Sequence, residues 1–374
     1  MRVGLGVTAL RTNLRTGQRD GIGVYSDALS RVLREQFPMH DFYDTTFDRS
    51  GSGLHRPIHN YEVSAGISAL FGVRYRPERI FGTDFDLFHA LDHYIPRLTI
   101  PVVATLHDAG PLSNPDIWPG RFRFIKNLLY SAKCRFPARV IAVSKYTADE
   151  VMRYAGVKAD RIDVIYEGVG KHVLMESMTP LDWSQMNKRY GLEPGFIAYC
   201  GSISKKKNVA RLLAAHEALP ITMRQGHPLV LIGGIPAKES MDAVVDEIRR
   251  KERAGTAKWL GTLPNADMAR VLHHSELFVF PSLHEGFGLP VVEAFQLGLP
   301  VLTSNVAALP EIAGDCAALV NPTDVRELSR ALERLLREDV LRREFADRGK
   351  ARAVNFRWEK CAKRTLEAYD RVLA

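Results

Sequence analysis

A chain of 374 residues with 46% hydrophobic and 25% charged residues holds enough apolar content for two cores of ordinary domain size. Its apolar runs, such as 101–106 and 277–281, fall far short of the roughly 18 residues that cross a bilayer, and the opening Met1-Arg2-Val3-Gly4-Leu5-Gly6 reads as a strand instead of a secretory leader, so a cytoplasmic protein is expected. Four scattered cysteines (Cys134, Cys200, Cys316, Cys361) exclude a disulfide framework and a structural zinc, while the net charge of +8 favours an anionic partner without choosing among nucleotide, nucleic acid and lipid surface.

In chain order, the first half predicts strands at 3–8, 87–90, 102–106 and 140–144, with helices over 24–37 and 146–154. The second half repeats the style, with strands at 196–201, 229–233, 277–281 and 300–303 and helices over 209–219 and 241–252. Buried-strand runs alternating with amphipathic helices are the pattern of parallel sheets with crossover helices, so each half is expected to be a doubly wound α/β unit. Residues 167–194 carry Gly168, Gly170, Pro180, Gly191 and Pro194 and turn periodic only at 183–190, which makes them the predicted linker. Three more helices are predicted at 324–337, 340–353 and 359–373, and the last fits either half.

The sharpest chemical feature is His284-Glu285-Gly286-Phe287-Gly288-Leu289-Pro290-Val291-Val292-Glu293, directly after a buried-strand run. A strand, a glycine turn and a helix start present backbone N–H groups and a positive dipole end to an anion. Eight residues at helical spacing would bring Glu285 and Glu293 to similar faces, two turns apart, where two carboxylates can grip two sets of sugar hydroxyls. The alternative is a glycine turn with an ordinary solvated glutamate pair. A second strand end, Cys200-Gly201-Ser202-Ile203-Ser204-Lys205-Lys206-Lys207, places three lysines before a helix, where ammonium groups suit a diphosphate gaining charge; by itself such a run is also a common solvated surface. His107-Asp108 ends another strand, with Asp108 equally suited to capping its turn. Asp84-Phe85-Asp86 has D-x-D spacing but sits at a strand entry, so it reads as structural and no metal is expected.

These segments, with Gly21-Ile22-Gly23-Val24-Tyr25, Ile141-Ala142-Val143-Ser144-Lys145, the stretch 260–324 and the ending Phe356-Arg357-Trp358-Glu359, lie in an order that resembles the family-4 retaining glycosyltransferases of the GT-B fold over nearly the whole chain. The wording of 284–293 and 304–315 is most similar to bacterial mannosyltransferases of polysaccharide assembly. The resemblance implies two Rossmann-like α/β domains facing a deep cleft: an acceptor domain at 1–170, joined by a C-terminal helix returning at 357–374, and a nucleotide-sugar domain at 190–355. It implies catalytic roles for His107, Glu285 and Lys207, with Glu285 on the transferred sugar and Lys207 on the leaving diphosphate. Donor contacts fall to Gly23, Ser202, Lys206, Lys207, Gly286, Phe287, Gly288, Leu289 and Glu293, the last on the ribose. One departure stands out: many relatives carry an arginine near the glycine of the lysine turn, where this chain has Ser202 and, further on, Lys206.

The expected activity is transfer of a hexose with retention, without a metal or other cofactor. GDP-mannose is the first donor and a UDP-sugar the second, with a saccharide or lipid-linked acceptor. A GT-B sugar-nucleotide epimerase and a non-catalytic sugar-nucleotide binder are the alternatives. Nucleic acid is not expected, because the basic residues are dispersed among acidic ones. Residues 121–139 hold Arg121, Arg123, Lys126, Lys133, Arg135 and Arg139 with no acidic residue, interleaved with Phe122, Phe124, Ile125, Leu128, Leu129 and Phe136. Such a segment suits either a helix packed on its own sheet or peripheral binding to an anionic membrane surface.

Overall fold

The computed structural model describes residues 1–10, 20–47, 73–117, 123–170, 183–236 and 240–374. Two compact units emerge, Met1–Gly168 with Arg357–Ala374, and Val169–Phe356. Of the predicted linker, Gly168 closes the first unit and the helix Trp183–Tyr190 belongs to the second, while Pro180 lies outside the described residues.

The first unit is built on strands β1 (Arg2–Gly6), β2 (Asp41–Thr45), β3 (Leu87–Ala90), β4 (Val102–Leu106), β5 (Arg139–Ala142) and β6 (Ile162–Val164). They pair in parallel in the order β2-β1-β3-β4-β5-β6. Every residue of β3 and β4 is buried, as continuous apolar runs in a covered parallel sheet require. The helix predicted at 24–37 begins three residues earlier, at Gly21, and runs to Gln36: Asp20 caps it by accepting the Gly23 N–H at 2.7 Å. The C-terminal helix Trp358–Leu373 packs on that helix and on β5.

A buried polar chain fastens this last helix. Tyr25 and Thr105 hydroxyls meet at 3.0 Å, the Thr105 hydroxyl lies 2.8 Å from His89 Nε2, and His89 Nδ1 lies 2.6 Å from the Tyr369 hydroxyl. Burial, with the charge of His107 adding to it, pushes the His89 imidazole down to about 3, so it is neutral at physiological pH. At the chain crossing, Gly168 lies so close to the backbone of Arg357 and Trp358 that a Cβ would sit 2.2 Å from the Trp358 nitrogen.

The second unit carries β7 (Ile197–Cys200), β8 (Leu229–Ile232), β9 (Ala257–Gly261), β10 (Leu277–Phe280), β11 (Val301–Ser304) and β12 (Ala318–Val320), again all parallel, in the order β12-β11-β10-β7-β8-β9. The order reverses between β7 and β10, and open α/β sheets bind ligands beyond the carboxyl ends of the strands at such a reversal. The lysine turn follows β7 and the glycine turn follows β10, so the two segments singled out from sequence leave adjacent strands.

Among the described residues, the eight predicted strands are the eight interior ones. The four the sequence did not reveal, β2, β6, β9 and β12, are the four sheet edges, and most of their residues are only half-buried. An edge strand has one partner and a partly wet face, so it carries no continuous apolar run to read.

Candidate active site

In the second unit, the backbone turn after β7 and the turn after β10 are fastened to each other. Leu283 donates its N–H to the Lys206 carbonyl at 2.9 Å, and the Ser282 hydroxyl lies 3.1 Å from the same oxygen. Asn208, with φ 62 in the left-handed region, caps the lysine turn and spends its side-chain amide on the Pro281 and Pro322 carbonyls at 3.0 and 2.7 Å. Ser304, ending β11, donates to the Ser282 carbonyl at 2.7 Å, so three strand ends share one polar junction.

Glu285 occupies that junction and is 8% exposed. Its Oε1 accepts from Lys207 Nζ at 2.6 Å and from the Ser282 hydroxyl at 2.6 Å, and its Oε2 lies 3.8 Å from Lys206 Nζ. Burial alone would raise the carboxyl's pKa, but the Lys207 and Lys206 charges and the two hydrogen bonds outweigh it, so Glu285 is held ionised. Burial pulls the Lys207 ammonium below its ordinary value, with the Glu285 carboxylate opposing and Lys206 reinforcing the shift. Lys207 also stands over the face of Phe280, 4.7 Å from the ring centroid. The junction is thus a partly buried set of charges, two cations around one carboxylate, held in place by hydrogen bonds before an anion arrives.

Gly286 and Phe287 are buried in the turn that follows, and Gly288 adopts φ 109 at the start of the helix Leu289–Gln296; a Cβ there would strike Leu309 at 2.8 Å. No side chain caps this helix. The helical arithmetic between Glu285 and Glu293 therefore fails, since the helix begins only after Gly288 and Glu285 lies in non-helical backbone. What relates the two carboxylates is the sheet. Glu293, half-buried in the helix, and Lys207 both act on the Cys200 thiol at the end of β7, which burial, with Glu293 adding, raises to about 12. In the lysine turn, the Ser202 hydroxyl lies 3.1 Å from that of Ser204 and its carbonyl accepts from the Tyr199 hydroxyl at 2.8 Å.

In the first unit, His107 follows β4. Its Nδ1 lies 3.1 Å from Glu167 Oε1 and its Nε2 2.9 Å from the Leu91 carbonyl. Glu167, 60 residues away in sequence, was not among the candidates, because nothing local marks it. Asp108 accepts the Gly110 N–H at 3.2 Å, the turn-capping role its position allowed. Gly23 is buried with its N–H spent on Asp20. Asp86 accepts the Arg2 N–H at 2.7 Å and Asp84 the Phe85 N–H at 2.9 Å, so both D-x-D carboxylates serve backbone, as read from the sequence. Among the described residues no cluster of histidine, cysteine and acidic side chains has the make-up of a metal site.

The helix Arg123–Arg135 buries Ala132 and Cys134 and exposes Phe124 (80%), Ile125 (53%) and Leu128 (43%) beside an exposed Lys126. Arg121, Phe122 and the side chain of Arg123 lie outside the described residues. No helix among the described residues is long and apolar enough to cross a membrane.

Two family profiles divide the chain along the same lines: Glycosyltransferase Family 4 over residues 19–171 and Glycosyl transferases group 1 over residues 185–352. The chain is 32% identical over 289 residues to O-antigen chain mannosyltransferase B of Escherichia coli, covering 76% of this chain and 74% of that protein. It belongs to the family-4 glycosyltransferases. A second relative of this glycosyltransferase, the serotype-specific mannosyltransferase WbdA of E. coli, is 31% identical over 75% of the chain, which spans about a third (35%) of WbdA's length. Among solved structures, the glycosyltransferase superposes on sucrose-phosphate synthase from Thermosynechococcus elongatus with a TM-score of 0.76 at 18% identity, over 100% of this chain and 99% of that one. WaaG, a glycosyltransferase involved in lipopolysaccharide biosynthesis, gives 0.72 at 14% over 98% of each chain. The fold is GT-B, as the sequence resemblance implied.

Proposed function

We propose that this glycosyltransferase transfers mannose from GDP-mannose to a saccharide or lipid-linked acceptor with retention of configuration. The observation that carries the reading is the Glu285–Lys207–Lys206 junction at the reversal of the second sheet, with Glu293 on the helix beside it. In this reading Lys207 and Lys206 meet the diphosphate as the bond from sugar C1 to phosphate oxygen breaks. Glu285 orients the lysines and contacts the sugar, and Glu293 holds the ribose hydroxyls. The acceptor oxygen bonds to C1 from the face the diphosphate leaves, and its proton passes to the departing phosphate oxygen. Glu285 is tied to two donors, which suits an orienting group better than a covalent nucleophile.

Mannose is favoured by the named activities of both E. coli relatives. A panel of GDP- and UDP-sugars, assayed for nucleotide release with and without acceptor, tests the choice; faster release from a UDP-sugar would replace GDP-mannose. Turnover without acceptor, giving a changed sugar nucleotide, would favour an epimerase. NMR of the product's anomeric configuration tests retention. The two lysines supply charge that a divalent ion supplies elsewhere, so activity is expected to persist in EDTA; loss restored by Mg²⁺ would refute this.

The exposed apolar and basic face of Arg123–Arg135 supports reversible binding to anionic membrane, where a lipid-linked acceptor would be presented. Each basic residue near the surface contributes about 1 kcal/mol. Co-sedimentation with anionic vesicles is expected to be lost on changing Arg121, Arg123 and Lys126 together to Gln; equal binding by the folded triple variant would sink the idea.

A further inference from the structure

His107 poses a proton-counting problem. Its Nε2 faces a backbone carbonyl and its Nδ1 faces a carboxylate oxygen, and neither partner offers a hydrogen when Glu167 is ionised. A neutral imidazole has one N–H, so it satisfies one of these contacts and turns a lone pair on the other. Both contacts hold only if the pair shares one extra proton. The surroundings are closed: Glu167 is 4% exposed, and Tyr25 from the helix Gly21–Gln36 sets its ring edge-on to His107 at 4.7 Å. The other titratable groups acting on the pair are His89 on β3, Asp92 beyond it, Asp108 next in the chain, and Cys361 on the C-terminal helix.

We propose that Glu167 is a positioning residue of the glycosyltransferase: it keeps His107 doubly protonated, with Nε2 fixed on the Leu91 carbonyl, so that the histidine meets the reaction as a cation. This rests on the reading above, in which His107 belongs to the catalytic set. With both ring nitrogens engaged by Glu167 and the Leu91 carbonyl, what a doubly protonated His107 adds over a neutral one is its positive charge. The site supports the cation. Burial pulls the His107 pKa down, but the Glu167 hydrogen bond and charge, then the Leu91 carbonyl and Asp108, reverse that pull and leave it above the ordinary value. Activity therefore falls as pH rises through the raised pKa. Asp92, which burial pushes up to about 7, gains its negative charge as pH rises and then attracts the His107 cation, so its ionisation opposes the basic limb.

Glu167→Gln separates charge from orientation. The glutamine amide can donate to Nδ1, holding the ring in place while Nε2–H still meets Leu91, but the histidine is then neutral. The expected result is a folded protein with donor KM nearly unchanged, kcat at least about tenfold lower, and the basic limb displaced to lower pH by about one unit or more. Glu167→Asp should restore part of both. ¹⁵N NMR, assigned by comparison with His107→Gln, should show both His107 nitrogens protonated at pH 7 in the wild type and only one in Glu167→Gln. Full kcat with an unmoved limb in Glu167→Gln overturns the proposal, as does a His107 that stays cationic in that variant or is neutral in the wild type. If the wild type turns over no nucleotide sugar, the functional reading falls, while the NMR result still decides whether Glu167 holds the proton.

Discussion

Replacing Lys207 with Met keeps length and apolar stem but removes the cation that lies 2.6 Å from Glu285 in a site 8% exposed at the carboxylate residue. Losing one partner of a buried pair ordinarily costs about 3–5 kcal/mol, because the other charge is left desolvated. Here the Ser282 hydroxyl at 2.6 Å and the Lys206 ammonium at 3.8 Å remain and offset part of that, so a loss of about 2–3 kcal/mol is expected. For a unit of this size that lowers Tm by roughly 5–10 °C. The pH dependence has a definite sign. The folded pKa of Glu285 lies below its ordinary 4.5, so the pair's stabilisation is present above 4.5 and is lost as pH falls through the depressed value. The cost of Lys207→Met is thus full at neutral pH and shrinks in acid. Urea unfolding of the wild type, Lys207→Met, Glu285→Gln and the double variant closes a cycle with an expected coupling of about 1–3 kcal/mol. A coupling below about 0.5 kcal/mol, or a cost that grows in acid, would refute the pairing. The same variant should lose kcat by about 100-fold or more, and saturating donor should not restore it.

Glu293→Ala should raise donor KM more than it lowers kcat, since a ribose contact is shared by ground and transition states; an unchanged KM in steady-state assays would remove Glu293 from the donor site. His89 is held neutral, its folded pKa depressed from 6.5 to about 3, so the unfolded chain binds the proton first and the contribution of His89 to stability should fall by about 1.4 kcal/mol per pH unit below 6.5; in urea titrations from pH 7 to 5 the wild type and His89→Gln should differ in slope by about that amount, and equal slopes would contradict the neutral histidine. Gly168→Ala should destabilise by about 3 kcal/mol or more, because its Cβ meets the Trp358 backbone, which cannot turn aside as a side chain can; a melting temperature within 2 °C of the wild type, a window of about 1 kcal/mol or less, would contradict that contact.

The chemistry-bearing turns were legible because each is local: an apolar strand, glycine or lysines within a few residues, then a helical period. The junction they form was not legible, since Lys207 and Glu285 are 78 residues apart and meet only because β7 and β10 pair across the reversal of strand order. The relation of Glu285 to Glu293 was misjudged for a related reason. Spacing assumes continuous helix, and Gly288, at φ 109, ends the turn and starts the helix anew.

By itself the sequence determined the two α/β halves, the eight interior strands and the turns that bear charge, because burial on both faces writes an unbroken apolar run and a turn writes its own residues. Tertiary structure alone decided the four edge strands among the described residues, which helix of the first unit the C-terminal helix packs on, and the partners of Glu285 and His107. Those depend on which strand lies beside which, a global choice. A carboxylate that must meet a cation or a histidine in the interior carries no mark of that obligation in its own neighbourhood of the chain.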